Sequence, residues 1–188
     1  MVRFIVAALL ACTSLSAFAE PRRYDVKEIV SQVDENLESF VLRVAPELDS
    51  FTRESGHEAC GMIAQTPNGN QFGIRLITIK GAMTCSMLRS NVPDGMRAMN
   101  VSIHSHPYKR SVFPTAADVN YYAEHPMNSG RMIKRGKPEK VGGAYFSQGD
   151  YQAGPGYLVA EGRLLYQEGV GTERDIGVYN ATMVASNP

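Results

Sequence analysis

His104-Ser105-His106-Pro107 is the part of this chain best suited to chemistry. In Met99-Asn100-Val101-Ser102-Ile103-His104-Ser105-His106, Val101 and Ile103 alternate with polar neighbours, the period of a half-buried strand. Successive strand side chains point to opposite faces, so His104 and His106 project from the same face. Pro107 has no N–H to give to a ladder and ends the strand. Two imidazoles side by side at a strand end form half of a zinc site. A hydrolytic site also needs a third ligand, an open position for water and a carboxylate to take the water's proton. Three carboxylates are candidates: Glu58, at the start of an apolar run; Asp118, in Thr115-Ala116-Ala117-Asp118; and Asp150, in Ser147-Gln148-Gly149-Asp150.

Several elements must position these groups. Asp25-Val26-Lys27-Glu28 has the form of a capping box, followed by Val26, Ile29, Val30, Val33, Leu37, Phe40, Val41 and Val44 at steps of three and four. This pattern predicts one amphipathic helix ending near Pro46 and packing on a sheet. Glu58 to Ala64 reads as a strand, Pro67-Asn68-Gly69-Asn70 as a tight turn, and Phe72 to Ile79 as the returning strand. Thr115 to Glu124 reads as a short helix stopped by Pro126. Met127 to Lys140 is basic and rich in Gly and Pro, a long surface loop or insertion. Gly156 to Ala160 and Arg163 to Tyr166, joined by Glu161-Gly162, form a second hairpin, and Asp175 to Tyr179 adds one more strand. The fold class is mixed α/β, a single mixed β-sheet flanked by helices.

The chain has 188 residues, with 19 basic and 19 acidic side chains, and this balance gives no electrostatic case for nucleic acid or an anionic membrane. Met1-Val2-Arg3, the apolar stretch Phe4 to Cys12 and the small residues Ala17 and Ala19 read as a secretory signal cut after Ala19. The apolar stretch is too short to span a membrane, which takes about 20 residues. A rival reading makes Leu9-Leu10-Ala11-Cys12 a lipoprotein box with a lipidated Cys12. Either way the protein is expected to be exported, periplasmic or secreted. After cleavage Cys60 and Cys85 remain, and in an oxidising compartment they are expected to form a disulfide. The predicted organisation is a signal peptide at 1–19, an N-terminal helix within 20–50, and one domain from 51 to 188.

Taken together, Glu58-Ala59-Cys60-Gly61-Met62-Ile63, His104-Ser105-His106-Pro107 and a downstream Ser-x-x-Asp resemble the JAB/JAMM (MPN-type) zinc metalloprotease family. The resemblance covers about Glu58 to Tyr166 and implies the family's cytidine-deaminase-like layering. It implies Zn2+ held by His104, His106 and one aspartate, with water in the fourth position at a pKa of about 7. It further implies Glu58 as the general base, and the hydroxyl of Ser147 or Thr115 as the group that steadies the oxyanion. The substrate would be an amide or isopeptide bond in a peptide or protein of the cell envelope or outside the cell.

The departure from the pattern lies in the third ligand. The family's usual spacing puts the aspartate eleven residues after the second histidine. Asp118 lies twelve after His106 and follows Thr115 where serine is usual; Asp150 has an intact Ser-x-x-Asp but lies 44 residues on. Asp150 is preferred, because Phe146-Ser147-x-x-Asp150 shortly before Gly156-Tyr157-Leu158-Val159 resembles a secreted bacterial JAB-like branch with a variable insert before the motif. Both choices stay open.

Plainer explanations exist for each group. Thr115-x-x-Asp118 is a capping box by its form alone, Gln148-Gly149-Asp150 could be a turn, and Glu58 a strand-edge charge. His57 is expected on the face opposite Glu58, and His125 at a helix end. Tyr108, Tyr121, Tyr122 and Tyr151 could line a peptide groove or fill core and rim positions. The irregular aspartate spacing also suits a non-catalytic envelope protein that binds with the same fold, or a toxin-like secreted effector.

Overall fold

The structure is a computed structural model, and it describes residues 21–125 and 132–179. The expected signal segment, including Cys12, lies outside the described residues, as do Pro126 and the part of the basic loop at 127–131. A mixed seven-stranded sheet organises the rest, in the order β1-β3-β2-β4-β7-β8-β9. The expected α/β class with a single main mixed sheet is what the fold shows.

The first element is a strand, β1 (Tyr24–Val30), where the sequence predicts a helix. It runs antiparallel to β3 (Phe72–Thr78), with an irregularity between Asp25 and Lys27. That bulge explains the error. An extra residue in one strand breaks the alternation of faces. The inward-facing Val26 and Ile29 therefore stand three apart, the spacing of a helix face. The helix, α1 (Leu37–Ser55), starts later, at Asn36, whose side chain accepts from Ser39 N at 2.9 Å. It also runs through Pro46 instead of ending there. Proline removes one helical hydrogen bond, but the buried face of Phe40, Val41, Val44, Ala45 and Leu48 holds the turns on either side against the sheet. Gly56, at φ 72°, closes the helix by donating its N–H to Thr52 O. The expected boundary at residue 50 therefore falls inside α1, and β1 belongs to the same sheet as the rest.

β2 (Cys60–Gln65) and β3 form the first hairpin, and β4 (Arg97–Ser105) pairs antiparallel with β2. β7 (Gly156–Ala160) lies parallel to β4 on the other side, the one parallel pair of the main sheet among the described residues. Between β4 and β7 the chain makes β5 (Ser111–Val112), α2 (Ala116–Glu124), β6 (Glu139–Lys140) and α3 (Gln148–Ala153); β5 and β6 pair as a separate ribbon. β8 (Arg163–Gln167) returns from β7 through Glu161 and Gly162, both at positive φ, the backbone of a two-residue hairpin turn. β9 (Arg174–Val178) closes that edge.

The two faces of the sheet have different cover. α1 packs on one face, where Phe40, Val44 and Leu48 join Ile63, Ile74, Ile103, Tyr157 and Leu164 in the main core. On the other face Phe146, Leu158 and Ala160 form a smaller cluster with Tyr151 and Leu165. The Cys60–Cys85 disulfide is present, with Cα atoms 5.9 Å apart, and it ties β2 to the segment after β3. Among the described residues no helix is long and apolar enough to cross a membrane.

Candidate metal centre

Ile103 belongs to the core under α1, so alternation along β4 turns His104 to the opposite face. Past the strand's end, His106 N donates to Val159 O at 3.1 Å, which carries the parallel ladder one residue further. Ser105, between the histidines, points back towards α1. Its hydroxyl meets Thr52 Oγ1 at 2.5 Å and accepts from Ala59 N at 3.0 Å, pinning the histidine segment to the segment after Glu58.

The two imidazoles converge through like atoms, with His104 Nε2 and His106 Nε2 3.2 Å apart. Asp150 supplies the third corner, Oδ1 at 3.2 Å from His104 Nε2 and Oδ2 at 3.7 Å from His106 Nε2. Three such atoms lie within 4.8 Å of one another, and both histidines are buried. A cation bound at about 2.0–2.1 Å by tetrahedral N and O ligands would place those ligands about 3.3 Å apart, so the spacing fits zinc. Donor chemistry fits as well. His106 Nδ1 lies 3.1 Å from the Gly143 carbonyl, which fixes the proton on Nδ1 and leaves Nε2 as a lone pair aimed at the cluster. Gly142 allows this approach, because a Cβ there would stand 2.8 Å from His106 Nδ1.

Local sequence also places Asp150. Ser147 and Asp150 form a reciprocal capping box at the start of α3, with Ser147 N donating to Asp150 Oδ2 at 2.6 Å. The segment that could have been a plain turn is thus the first turn of a short helix. It is the cap that points its carboxylate at the histidines.

Electrostatics sort the groups. Burial lowers the His106 pKa to about 4, helped by the neighbouring His104 and opposed by Asp150 and the Gly143 carbonyl. Burial alone would raise the Asp150 carboxyl. His104 and His106 together with the Ser147 N–H outweigh it and hold Asp150 well below the usual carboxylate range. Glu58 is pushed well above its ordinary value, first by burial and then by the negative charges of Asp150 and Asp118. Neutral imidazole, ionised aspartate and a glutamate that readily holds a proton are the states a hydrolytic metal site uses.

Glu58 lies two residues before β2. Its N–H donates to Gly81 O at 2.8 Å, and its carbonyl accepts from Thr78 Oγ1 at 2.7 Å. It lines a cleft of about 520 Å3 together with His104, His106, Ser147 and Asp150. Met83, Tyr121, Tyr122 and Phe146 give this cleft an apolar wall.

Asp118 and Thr115 do not join the cluster. Asp118 is fully buried, and its carboxylate accepts from Ala82 N, Met83 N, Thr115 N and Thr115 Oγ1 at 2.7–3.0 Å. Those bonds use Asp118 as the partner of Thr115 in the capping box of α2 and as the anchor of the loop after β3, and they also occupy the Thr115 hydroxyl. Of the two candidate aspartates, the structure brings only Asp150 to the histidines; of the two hydroxyls, only Ser147 reaches the cleft.

The remaining groups divide. His57 lines a second cleft, together with Pro107 and Tyr108, and not the cleft that Glu58 lines. His125 caps α2 and stacks on Tyr121. Tyr108 donates to the buried Asp49, and Tyr151 to Glu173. Sequence reasoning missed the Gly142-Gly143 pair that seats His106 and also Gln167, which lies at the back of the cleft. The glycine doublet was the only available signal for the first. No family model, no curated protein and no solved structure matches the chain.

Proposed function

We propose that this protein is an exported zinc-dependent peptidase or isopeptidase of the JAB/JAMM type, with that family's layering around the sheet. The carrying observation is the convergence of His104 Nε2, His106 Nε2 and the Asp150 carboxylate in a cleft that also contains buried Glu58. His104, His106 and Asp150 would hold the ion, which when bound acidifies water and polarises a carbonyl oxygen. Glu58, raised in pKa by its surroundings, takes the water's proton and delivers it to the departing amine as the amide C–N bond breaks. Ser147 Oγ already accepts from Asp150 N, so its own proton is free to be donated to the oxyanion. The disulfide is compatible with an oxidising compartment, which supports export, and the substrate we propose is a peptide or protein of the cell envelope or outside the cell.

Elemental mass spectrometry tests the reading. We expect about one zinc per chain in the mature protein, little in His104→Ala and Asp150→Ala, and wild-type content in Glu58→Gln together with loss of peptidase activity. Zinc-free protein after supplementation would overturn the proposal. A metal-loaded wild type without peptidase activity would leave a binding protein, and full activity in Glu58→Gln would overturn the role given to Glu58.

A further inference from the structure

Among the described residues, Gln167 Oε1 is the one fully buried side-chain oxygen or nitrogen without a hydrogen-bond partner. Gln167 sits at the end of β8, 1% exposed, opposite Gly156 and at the inner wall of the cleft. Its Nε2 donates to Gly154 O at 2.7 Å and to Asp150 O at 3.4 Å, while Oε1 makes no hydrogen bond. Turning the amide over would not help, since Oε1 would then face two carbonyl oxygens. The orientation is fixed by α3, and the unpartnered oxygen is its consequence.

In so short a helix the Asp150 carbonyl, although in the first turn, is already among the last four of α3, and Gly154 is its C-cap. A helix leaves its last carbonyls without intrahelical donors, and α3 has only six residues, too few to be stable alone. At the N-terminal end the Ser147–Asp150 box closes the helix from within. At the C-terminal end, Gly154 N makes a 3.3 Å bond to Tyr151 O, and Gln167 supplies donors from the neighbouring sheet. The side chain that holds α3 thus bonds the main chain of Asp150 itself.

We propose that Gln167 is a positioning residue. By clamping the carbonyls of Asp150 and Gly154 to β8, it fixes the distance between the Asp150 carboxylate and the histidines, and so sets metal affinity. This rests on the proposed metal site. Glutamine suits the task because it offers two N–H groups without charge. Glutamate would set a carboxylate against two carbonyls, and methionine would fill the space without donating.

The test compares mature wild type with Gln167→Met, titrated with zinc against a chromophoric chelator. Loss of a group that orients a ligand typically weakens metal binding about 10–100-fold, and that range is expected here. Two further readouts separate positioning from general destabilisation. Cobalt(II)-loaded Gln167→Met should show an altered visible spectrum, and amide exchange in residues 148–153 should speed up even without metal. Leu164→Ala, which weakens β8 from the opposite face, should lower the melting temperature yet leave affinity and spectrum unchanged. If Gln167→Met fails to unfold cooperatively, Gln167→Asn, whose amide is one methylene too short for both carbonyls, reads the same quantities. Wild-type affinity and spectrum in the substituted, folded protein would overturn the inference and leave the proposed function standing. A wild type that binds no zinc would overturn both.

Discussion

Asp118 offers the sharpest test of how the two aspartates divide their work. Its carboxylate is fully buried and accepts four hydrogen bonds: Oδ2 serves Ala82 N, Thr115 N and Thr115 Oγ1, and Oδ1 serves Met83 N. In Asp118→Asn the remaining amide oxygen can take the Oδ2 position and keep three of these bonds, while the new NH2 faces the Met83 N–H. The loss is one charge-assisted bond, with the Met83 N–H and the new NH2 left facing each other as stranded donors, about 2 kcal/mol after partial relaxation. Asp118→Ala strands all three backbone N–H groups, and about 4 kcal/mol is expected after partial relaxation. At about 2–4 °C per kcal/mol for a domain of this size, the melting temperature should fall by about 4–8 °C in Asn and about 8–16 °C in Ala. Calorimetry reads these shifts, and zinc per folded chain should stay at the wild-type value in both. Activity should drop in Asp118→Asn despite full metal, because the anchored loop includes Gly81, whose carbonyl receives the Glu58 N–H. A variant that loses zinc while keeping its melting temperature would refute this reasoning and make Asp118 a ligand. A shift of less than about 2 °C in Asp118→Ala would show that the four bonds do not hold the loop.

Two further perturbations probe the frame of the site. The double change Cys60→Ala, Cys85→Ala removes a bridge across 25 residues and should cost about 3.5 kcal/mol; its melting temperature should no longer respond to reductant, as the wild type's should. Ser105→Val keeps the strand's shape but strands the buried Ala59 N–H and Thr52 hydroxyl, so chemical denaturation should report a loss of about 2–3 kcal/mol. A stability within 0.5 kcal/mol of wild type would show that this hydroxyl contact does not tie the histidine segment to α1.

Local chemistry made much of the molecule legible in the sequence. The alternation before His104 gave a strand with both imidazoles on one face, Glu161-Gly162 gave a hairpin turn, and Thr115-x-x-Asp118 gave a helix cap; each depends on residues a few positions apart. The N-terminal error came from a bulge, which depends on pairing with β3 and which left Val26 and Ile29 at a helical spacing. Pro46 inside α1 is a similar case, since burial of that face against the sheet outweighs the local break. The choice between the aspartates could not be made locally, because Ser147-x-x-Asp150 and Thr115-x-x-Asp118 are the same capping box twice. A capping box fixes where a carboxylate sits on its own helix, not what that helix faces. The parallel pairing of β4 with β7 carries α3 over the histidine face, while α2 packs its carboxylate into the loop after β3. The sequence by itself determined which residues could form the site. Long-range sheet pairing decided which of them meet, because contacts between residues 44 apart depend on how the sheet closes and not on any local preference.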